Sequence, residues 1–354
     1  MTRTKGGLAA TLAVGAVSAL VVAGCGSSGS SKAGSSGSSP KVNLSLVAYS
    51  TPQAAYKKII EAFKQTSAGK NITFTESYGA SGDQSRAVVA GLPADVVEFS
   101  LAPDMDRLAK ANLVDTNWAQ GQYGVGTSTA AGQHKGDVTD SVVVIATRKG
   151  NPKHISDWPD LVKSGIQVIT PNPFTSGGAR WNVMAAYGGV LAEGKTTTEA
   201  ATYLQELFKN HVPVQDDSAR KSLQTFVGGK GDAMLAYEND AIFAQQNAQS
   251  IDYTVPKDTI LIENPIAVTK NSKHPAEAQA FVNFLFTDTA QKIFSDNGYR
   301  PVVTSASSRQ FPAPSGLFTI AKFGGWTTVT SKFFDPDTGV LASIEKGLGV
   351  PTKK

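Results

Sequence analysis

Apolar positions along the chain fall into short runs that alternate with helical stretches. Val42 to Tyr49 reads as a strand, and Ala54 to Thr66 as a helix with Ile59, Ile60 and Phe63 on its inward face. Ile72 to Ser77 is a second strand, Ser81 to Leu92 a helix, Ala94 to Phe99 a strand and Pro103 to Ala111 a helix. That rhythm implies a parallel sheet covered on both faces. A longer strand, Asp140 to Arg148, leads into a second α/β block. There the pattern gives strands at Val168 to Thr170, Val212 to Gln215 and Asp232 to Tyr237. Helices are read at Ala179 to Tyr187, Thr198 to Phe208 and Ala219 to Val227. Ile260 to Val268 reads as a return strand, Pro275 to Phe286 and Thr289 to Asn297 as amphipathic helices, and the tail from Phe318 as further helix. The expected architecture is two α/β lobes around a hinged cleft. Lobe I takes residues 42–138 and 261–354, with the C-terminal helices, and lobe II takes 139–260. In open α/β sheets ligands sit at the carboxyl ends of strands beside helix N-termini, which here places the site in the cleft.

The first 41 residues follow another pattern. Arg3 and Lys5 precede an uncharged stretch from Gly6 to Gly24, which ends in Val22-Ala23-Gly24-Cys25. A cationic start, an apolar run and small residues before the cut are the anatomy of a secretory signal peptide, expected to span residues 1–24. A cysteine directly after Ala-Gly is where bacterial lipoproteins are cleaved and acylated, so Cys25 is the expected lipidation site. The stretch is rich in Ala and Gly and reaches only marginal length for a transmembrane helix. Residues 25–41 are dominated by Gly and Ser. Such a segment buries too little to offset its ordering entropy, so it reads as a flexible tether reaching roughly 20 Å. The expected location is the outer face of the cytoplasmic membrane, held there by lipid.

Composition narrows the function. Hydrophobic residues make up 41% of the 354 and charged residues 18%, and two cations of the formal +4 lie in the leader. No basic block interleaved with aromatics is present, so nucleic acid is excluded as a partner. Cys25 is the only cysteine, and acylation leaves no thiol for disulfides or catalysis. His134, His154, His211 and His274 are far apart in sequence, and neither a His-Glu-x-x-His nor a Gly-x-Ser-x-Gly motif occurs. The chain is read as no enzyme, with no cofactor and no metal. Gly189-Val-Leu-Ala-Glu-Gly-Lys195-Thr196 matches the P-loop letter for letter. A P-loop needs a buried strand before its first glycine, and here a helix pattern precedes it. The segment reads as a connection in which glycine ends one helix and threonine caps the next.

Two strand-to-helix turns carry the candidate chemistry: Ser77-Tyr-Gly-Ala-Ser81-Gly82 and Thr170-Pro-Asn-Pro-Phe-Thr-Ser176-Gly177-Gly178. Each offers a hydroxyl and then glycine where a helix begins. There the first N–H groups lack intrahelical partners and the aligned dipoles add positive potential, which makes an anion site. Taken singly, Ser81 and Ser176 read as ordinary N-caps. Taken together across one cleft, the two turns read as an anion site. Gln215-Asp-Asp-Ser218-Ala219-Arg220 is a third such turn. Tyr237, at a strand end, reads equally as an aromatic donor or as a core tyrosine satisfied locally.

These stretches resemble the periplasmic sulfate-binding proteins of ABC importers. The resemblance rests on Asn172-Pro-Phe-Thr-Ser-Gly-Gly-Ala-Arg-Trp-Asn182, Arg148-Lys-Gly-Asn-Pro-Lys153, Ala94-Asp-Val-Val, Gly228-Gly-Lys-Gly-Asp-Ala, Tyr299-Arg-Pro301 and Phe323-Gly-Gly-Trp326. It implies a type II periplasmic-binding-protein fold closing over one dehydrated sulfate held by neutral donors. By position it implies hydroxyls from Ser81 and Ser176, backbone N–H groups from Ser50, Gly177, Gly178 and Ala219, and a side-chain donor from Tyr237. Three positions depart from the family pattern. Tyr49-Ser50-Thr51 stands where Tyr-Asp-Pro is common, Tyr237 where Trp is common, and Asp83 where Lys is common. The implied function is a monomeric, lipid-anchored receptor that captures sulfate and delivers it to an ABC permease. Thiosulfate, molybdate or phosphate as ligand, or a surface scaffold without ligand, are the alternatives. Sulfate suits a donor-only cage because it carries no proton. Hydrogen phosphate would bury an unpaired O–H at a cost of about 1–3 kcal/mol.

Overall fold

The computed structural model describes residues 41–118 and 134–353. The expected signal peptide, Cys25 and the Gly/Ser tether lie outside the described residues. The first sheet half is laid down by β1 (Val42–Tyr49), β2 (Ile72–Gly79) and β3 (Val96–Glu98), with β1 pairing parallel to both others. Between them run α1 (Gln53–Lys64) and α2 (Ser81–Val89), and α3 (Ala102–Lys110) follows. In α1 the buried positions Ala55, Tyr56, Ile59, Ile60 and Phe63 form one stripe against the sheet, the spacing an amphipathic helix requires.

The second block begins with β4 (Asp137–Arg148), in which Val142 to Ala146 are fully buried because both sheet faces are covered. It continues through β5 (Val168–Ile169), α4 (Gly177–Ala192), α5 (Thr197–Glu206), α6 (Ala219–Val227) and β6 (Ala233–Tyr237). Then come α7 (Glu238–Gln246), β7 (Ile251–Thr254) and β8 (Leu261–Val268). The chain ends with α8 (Pro275–Leu285), α9 (Asp288–Asp296), β9 (Arg300–Pro301), α10 (Gly325–Val329) and α11 (Val340–Gly347). Among the described residues the strands order as β2-β1-β3-β8-β4-β6-β5, with β7 and β9 also on β4.

Strands β4 and β8 each serve both lobes. β8 pairs with β3 through Ile266 to Val268 and with β4 through Leu261 to Pro265. β4 pairs with β8 through Asp137 to Val142, then with β6 through Val143 to Thr147. Two strands therefore cross between the cores, as an outgoing and a returning chain require. One core gathers Leu46, Ile59, Phe63, Val97, Phe281 and Phe294; another gathers Trp158, Trp181, Met184, Leu204 and Leu235.

The tail departs from the expected grouping of 261–354 with lobe I. Phe318, Ile320, Trp326, Val329, Phe333 and Leu341 share the core of Trp158, Tyr187 and Leu204, on the second lobe. The reason is a slot with no side chains of its own. A Cβ on Gly188 would lie 2.4 Å from Phe318 Cζ, and one on Gly189 2.1 Å from Trp158 Cδ1. The first glycine of the P-loop look-alike is thus a packing glycine inside α4. Gly194 follows with φ +83°, and Thr196 caps α5 in a reciprocal bond with Glu199.

Three elements escaped the sequence pattern, α7, β7 and β9. In α7 the first residues, Glu238, Asn239 and Asp240, are polar yet buried, which erases the apolar stripe. Arg300 Nε donates to Glu238 at 2.7 Å and Ser141 Oγ to Asn239 at 3.0 Å, so distant partners make that burial possible. The strand expected at Val212 to Gln215 reduces to a single bridge, Ile169 to Val214. No helix among the described residues is long and apolar enough to cross a membrane.

Candidate functional site

In the first lobe, β1 delivers Ser50, buried, to the loop that enters α1. β2 delivers Ser81 to the first position of α2. The Ser81 hydroxyl donates to Asp104 Oδ2 at 2.6 Å and accepts from the Ser100 N–H at 3.0 Å. Asp104 is itself held by Arg107 at 2.6 Å. This corrects the sequence expectation: that hydroxyl is spent inside its own lobe. What Ser81 offers the cleft is its backbone N–H, which has no acceptor within the helix it begins.

In the second lobe, β5 runs into a turn wound on Asn172. Its side chain accepts from Phe174 N at 2.7 Å, and its carbonyl accepts from Ser176 N at 2.8 Å. Ser176 then precedes α4, yet its side chain makes no capping bond. The ordinary N-cap reading therefore fails for Ser176 and holds for Ser218, whose Oγ accepts from Lys221 N ahead of α6. The second and third turns are locked together: Asn172 N donates to Asp216 O at 2.8 Å, and Thr175 Oγ1 to Asp217 O at 2.7 Å.

The glycines show why these turns meet. A Cβ on Gly177 would stand 2.0 Å from Ser100 Oγ and 2.2 Å from Leu101 Cδ2, so the start of α4 abuts the start of α3 in the other lobe. At Gly178 the position is different. The nearest atoms to its missing Cβ are Tyr237 Cε1 at 3.4 Å, Ser176 Oγ at 3.5 Å and Ala219 Cβ at 3.7 Å. Four of the sequence-selected residues thus border one small space. Tyr237 ends β6 and its hydroxyl donates to Ser100 O at 3.4 Å, while its ring centroid lies 6.3 Å from that of Tyr49.

The lobes touch directly. Gly82 N donates to Thr175 O at 3.0 Å, joining the first turns of α2 and α4. Arg220, next to Ala219, donates to Thr51 O at 2.8 Å and stacks 4.0 Å from the Phe243 ring. Behind it lies Asp240, fully buried; burial pushes its carboxyl up to about 6, against the opposing pull of Arg220 3.9 Å away. Helices α2, α4 and α6 all begin at this junction, each contributing about half a positive charge and unpaired N–H groups. Helix starts gathered in this way can hold an anion through backbone N–H groups.

No sequence signal marks Ser100 and Asp104. The Ser100 carbonyl collects Trp181 Nε1 at 2.6 Å, Asn264 Nδ2 at 3.2 Å and the Tyr237 hydroxyl. These donors come from three separate stretches of chain, so no local pattern announces them. Arg220 lay inside a selected turn, but its role as a tie between lobes needed the fold. Among the described residues, no three His, Cys, Asp or Glu side chains gather as a metal-holding group.

Residues 44–300 match the family described as bacterial extracellular solute-binding protein. A sulfate-binding protein of Synechococcus elongatus is 39% identical over 347 residues, covering 95% of each chain. A sulfate-binding protein of Escherichia coli is 35% identical over 86% of this chain and 93% of its own. A thiosulfate-binding protein of Pseudomonas aeruginosa is 35% identical over 84% and 90%. Among solved structures, the sulfate-binding protein SubI of Mycobacterium tuberculosis superposes with a TM-score of 0.77 at 40% identity, covering 83% of this chain and all of its own. A periplasmic thiamin binding protein, 18% identical with a TM-score of 0.60 and coverage of 79% and 91%, shares the fold.

Proposed function

From the premise that the chain belongs to the bacterial extracellular solute-binding proteins, in the group of these sulfate-binding relatives, we propose that it binds sulfate between its lobes. It is a binding protein of the transport type and no enzyme. The observation that carries the reading is the space beside Gly178, bordered by Ser176 Oγ, Tyr237 and Ala219. In this reading the sulfate oxygens accept from the backbone N–H groups of Ser50, Ser81, Gly177, Gly178 and Ala219 and from the Ser176 hydroxyl; Tyr237, expected as a side-chain donor, has its one O–H committed to Ser100 O and instead walls the space with its ring. Every donor is uncharged. The dianion is balanced by the starts of α2, α4 and α6 rather than by an ion pair, which avoids the desolvation of a buried cation.

Thiosulfate is the second reading, favoured by the 35% identity to a thiosulfate-binding relative. It too is a proton-free dianion, so the cage chemistry accepts it. Phosphate is disfavoured because its proton finds no acceptor among the proposed donors. Capture and release then involve parting of the lobes about β4 and β8, the strands that cross between them. Acylation at Cys25 holds the monomer at the outer face of the membrane, and an ABC permease receives the anion.

Calorimetry on the ligand-stripped, refolded chain tests this. Sulfate or thiosulfate is expected to bind most tightly, molybdate more weakly, and phosphate least. Phosphate binding tightest overturns the proposal, and no heat with any of the four anions turns the protein into a scaffold. In cells fed a labelled fatty acid the protein is expected to take up label and Cys25→Ala to take up none. Absence of label from the wild-type protein removes the lipid anchor.

A further inference from the structure

A second groove crosses the lobe boundary away from the cage. It encloses about 750 Å³ between α2 and α3 on one side and α4 with the C-terminal tail on the other. Its lining is cationic: Arg86, Arg107 and Lys110 from the first lobe face Arg180 from the second. The carboxylates on its wall are turned elsewhere. Asp106 accepts from Trp118 Nε1 at 2.9 Å, and Asp335 accepts from Thr338 N at 2.8 Å within its own turn. Arg86 and Arg107 are each tied through one amine to a carboxylate on their own helix, Asp83 and Asp104.

Arg180 is the telling residue. Its Nε donates to Pro173 O at 2.8 Å and its guanidinium lies 4.9 Å from the Phe334 ring centroid. Among the described residues its two terminal amines have no hydrogen-bond partner. Burial lowers its pKa to about 10, with Asp104 opposing and Arg107 and Arg86 adding to the fall. Three guanidinium groups thus converge, two of them bonded to a carboxylate of their own helix and Arg180 to none. The apolar wall of Trp326 and Phe334 and the unpartnered Thr330 hydroxyl complete the groove.

We propose that this groove is a second anion site, taking a multiply charged oxyanion of the phosphate or polycarboxylate class, and that its occupant braces the two lobes in their closed arrangement. Its chemistry is the opposite of the cage. Arginine forks bind oxyanions through charge-assisted bonds. Being open, the groove lets water accept the hydrogen bond that the O–H of hydrogen phosphate donates. Because cations from both lobes share one ligand, binding there favours closure, and closure favours the cage; the coupling is reciprocal. Only that coupling rests on the proposed sulfate function; occupancy of the groove does not.

The test uses the full chain loaded with stoichiometric sulfate and titrated separately with inorganic phosphate and with citrate. The comparison is the variant Arg86→Gln/Lys110→Gln, both sites outside the cage. Saturable binding is expected with one or both probes, weakened about tenfold or more in the variant and by about 0.5 M salt. The probe that binds tells phosphate from polycarboxylate. Sulfate affinity measured without a second anion is expected to be equal in both proteins, and to rise with the probe in the wild type only. Equal probe binding by wild type and variant, or none at about 10 mM, overturns the site. Probe binding that leaves sulfate affinity unchanged overturns the bracing. If sulfate itself fails to bind, the titration of the groove still stands alone.

Discussion

The substitution Gly178→Ala separates folding from binding. Gly178 is helical, its φ is not positive, and an added Cβ would meet nothing closer than 3.4 Å, so the empty protein accepts the methyl group. Removing a glycine from a helix also narrows the unfolded ensemble, worth about 0.4–1 kcal/mol and roughly 1–3 °C in melting temperature. The methyl nevertheless takes the space bounded by Ser176 Oγ, Tyr237 and Ala219, where the sulfate is proposed to sit. An anion pushed outward loses the Gly178 N–H and the Ser176 hydroxyl as partners. Hydrogen bonds to a charged group are worth about 1.5–3 kcal/mol each, so the loss is about 3–6 kcal/mol, or roughly 10²- to 10⁴-fold in affinity. Calorimetry with sulfate and a thermal melt of the ligand-free protein read the two effects independently. Sulfate affinity within about threefold of wild type would refute the placement of the anion beside Gly178. A collapsed melting temperature would refute the claim that the space is empty.

Three further outcomes follow from the same geometry. Gly177→Ala places a methyl 2.0 Å from Ser100 Oγ in the opposite lobe, so it strains only the closed arrangement. Overpacking costs about 1–3 kcal/mol, and sulfate affinity is expected to fall about 5- to 150-fold, with small-angle scattering showing a more open ligand-free molecule. Ser176→Ala removes one hydroxyl that caps nothing, and calorimetry is expected to show a loss of about 1–3 kcal/mol; an unchanged affinity takes Ser176 out of the site. Glu98→Gln tests pH dependence. Glu98 is fully buried beside the Tyr56 hydroxyl, and burial, against the opposing pull of Tyr56, raises its pKa from 4.5 to about 8. Between those values the folded state holds a proton that the unfolded state lacks, so stability falls as pH rises through the window. The variant, uncharged throughout, is expected to be more stable than wild type at pH 8 by on the order of a few kcal/mol, read as a higher melting temperature, with the gap vanishing below pH 4.5. Parallel melting curves for the two proteins across that range would contradict the assignment.

The two-lobe α/β architecture was legible because buried parallel strands and amphipathic helices write themselves as local periodicity. β1, α1, β4, β8 and α8 fall within a few residues of where the apolar runs place them. The helix starts at Ser81, Gly177 and Ala219 were legible for the same reason, since a hydroxyl or glycine at a turn into a helix is a local signal. Helix α7 was not, because its buried Glu238 and Asn239 depend on Arg300 and Ser141, far away in sequence.

Sequence alone therefore pointed to the kind of site that is proposed: unpaired N–H groups at several helix starts. Tertiary structure decided which hydroxyl remains for a ligand, committing Ser81 to Asp104 while leaving Ser176 without a cap. It decided that the C-terminal tail packs on the second lobe, where Gly188 leaves room for Phe318 and Phe323. It also gathered arginines from both lobes into one groove. Hydrogen-bond commitment, complementary shape and the sum of charges depend on atoms that only folding brings together, and local periodicity carries no record of them.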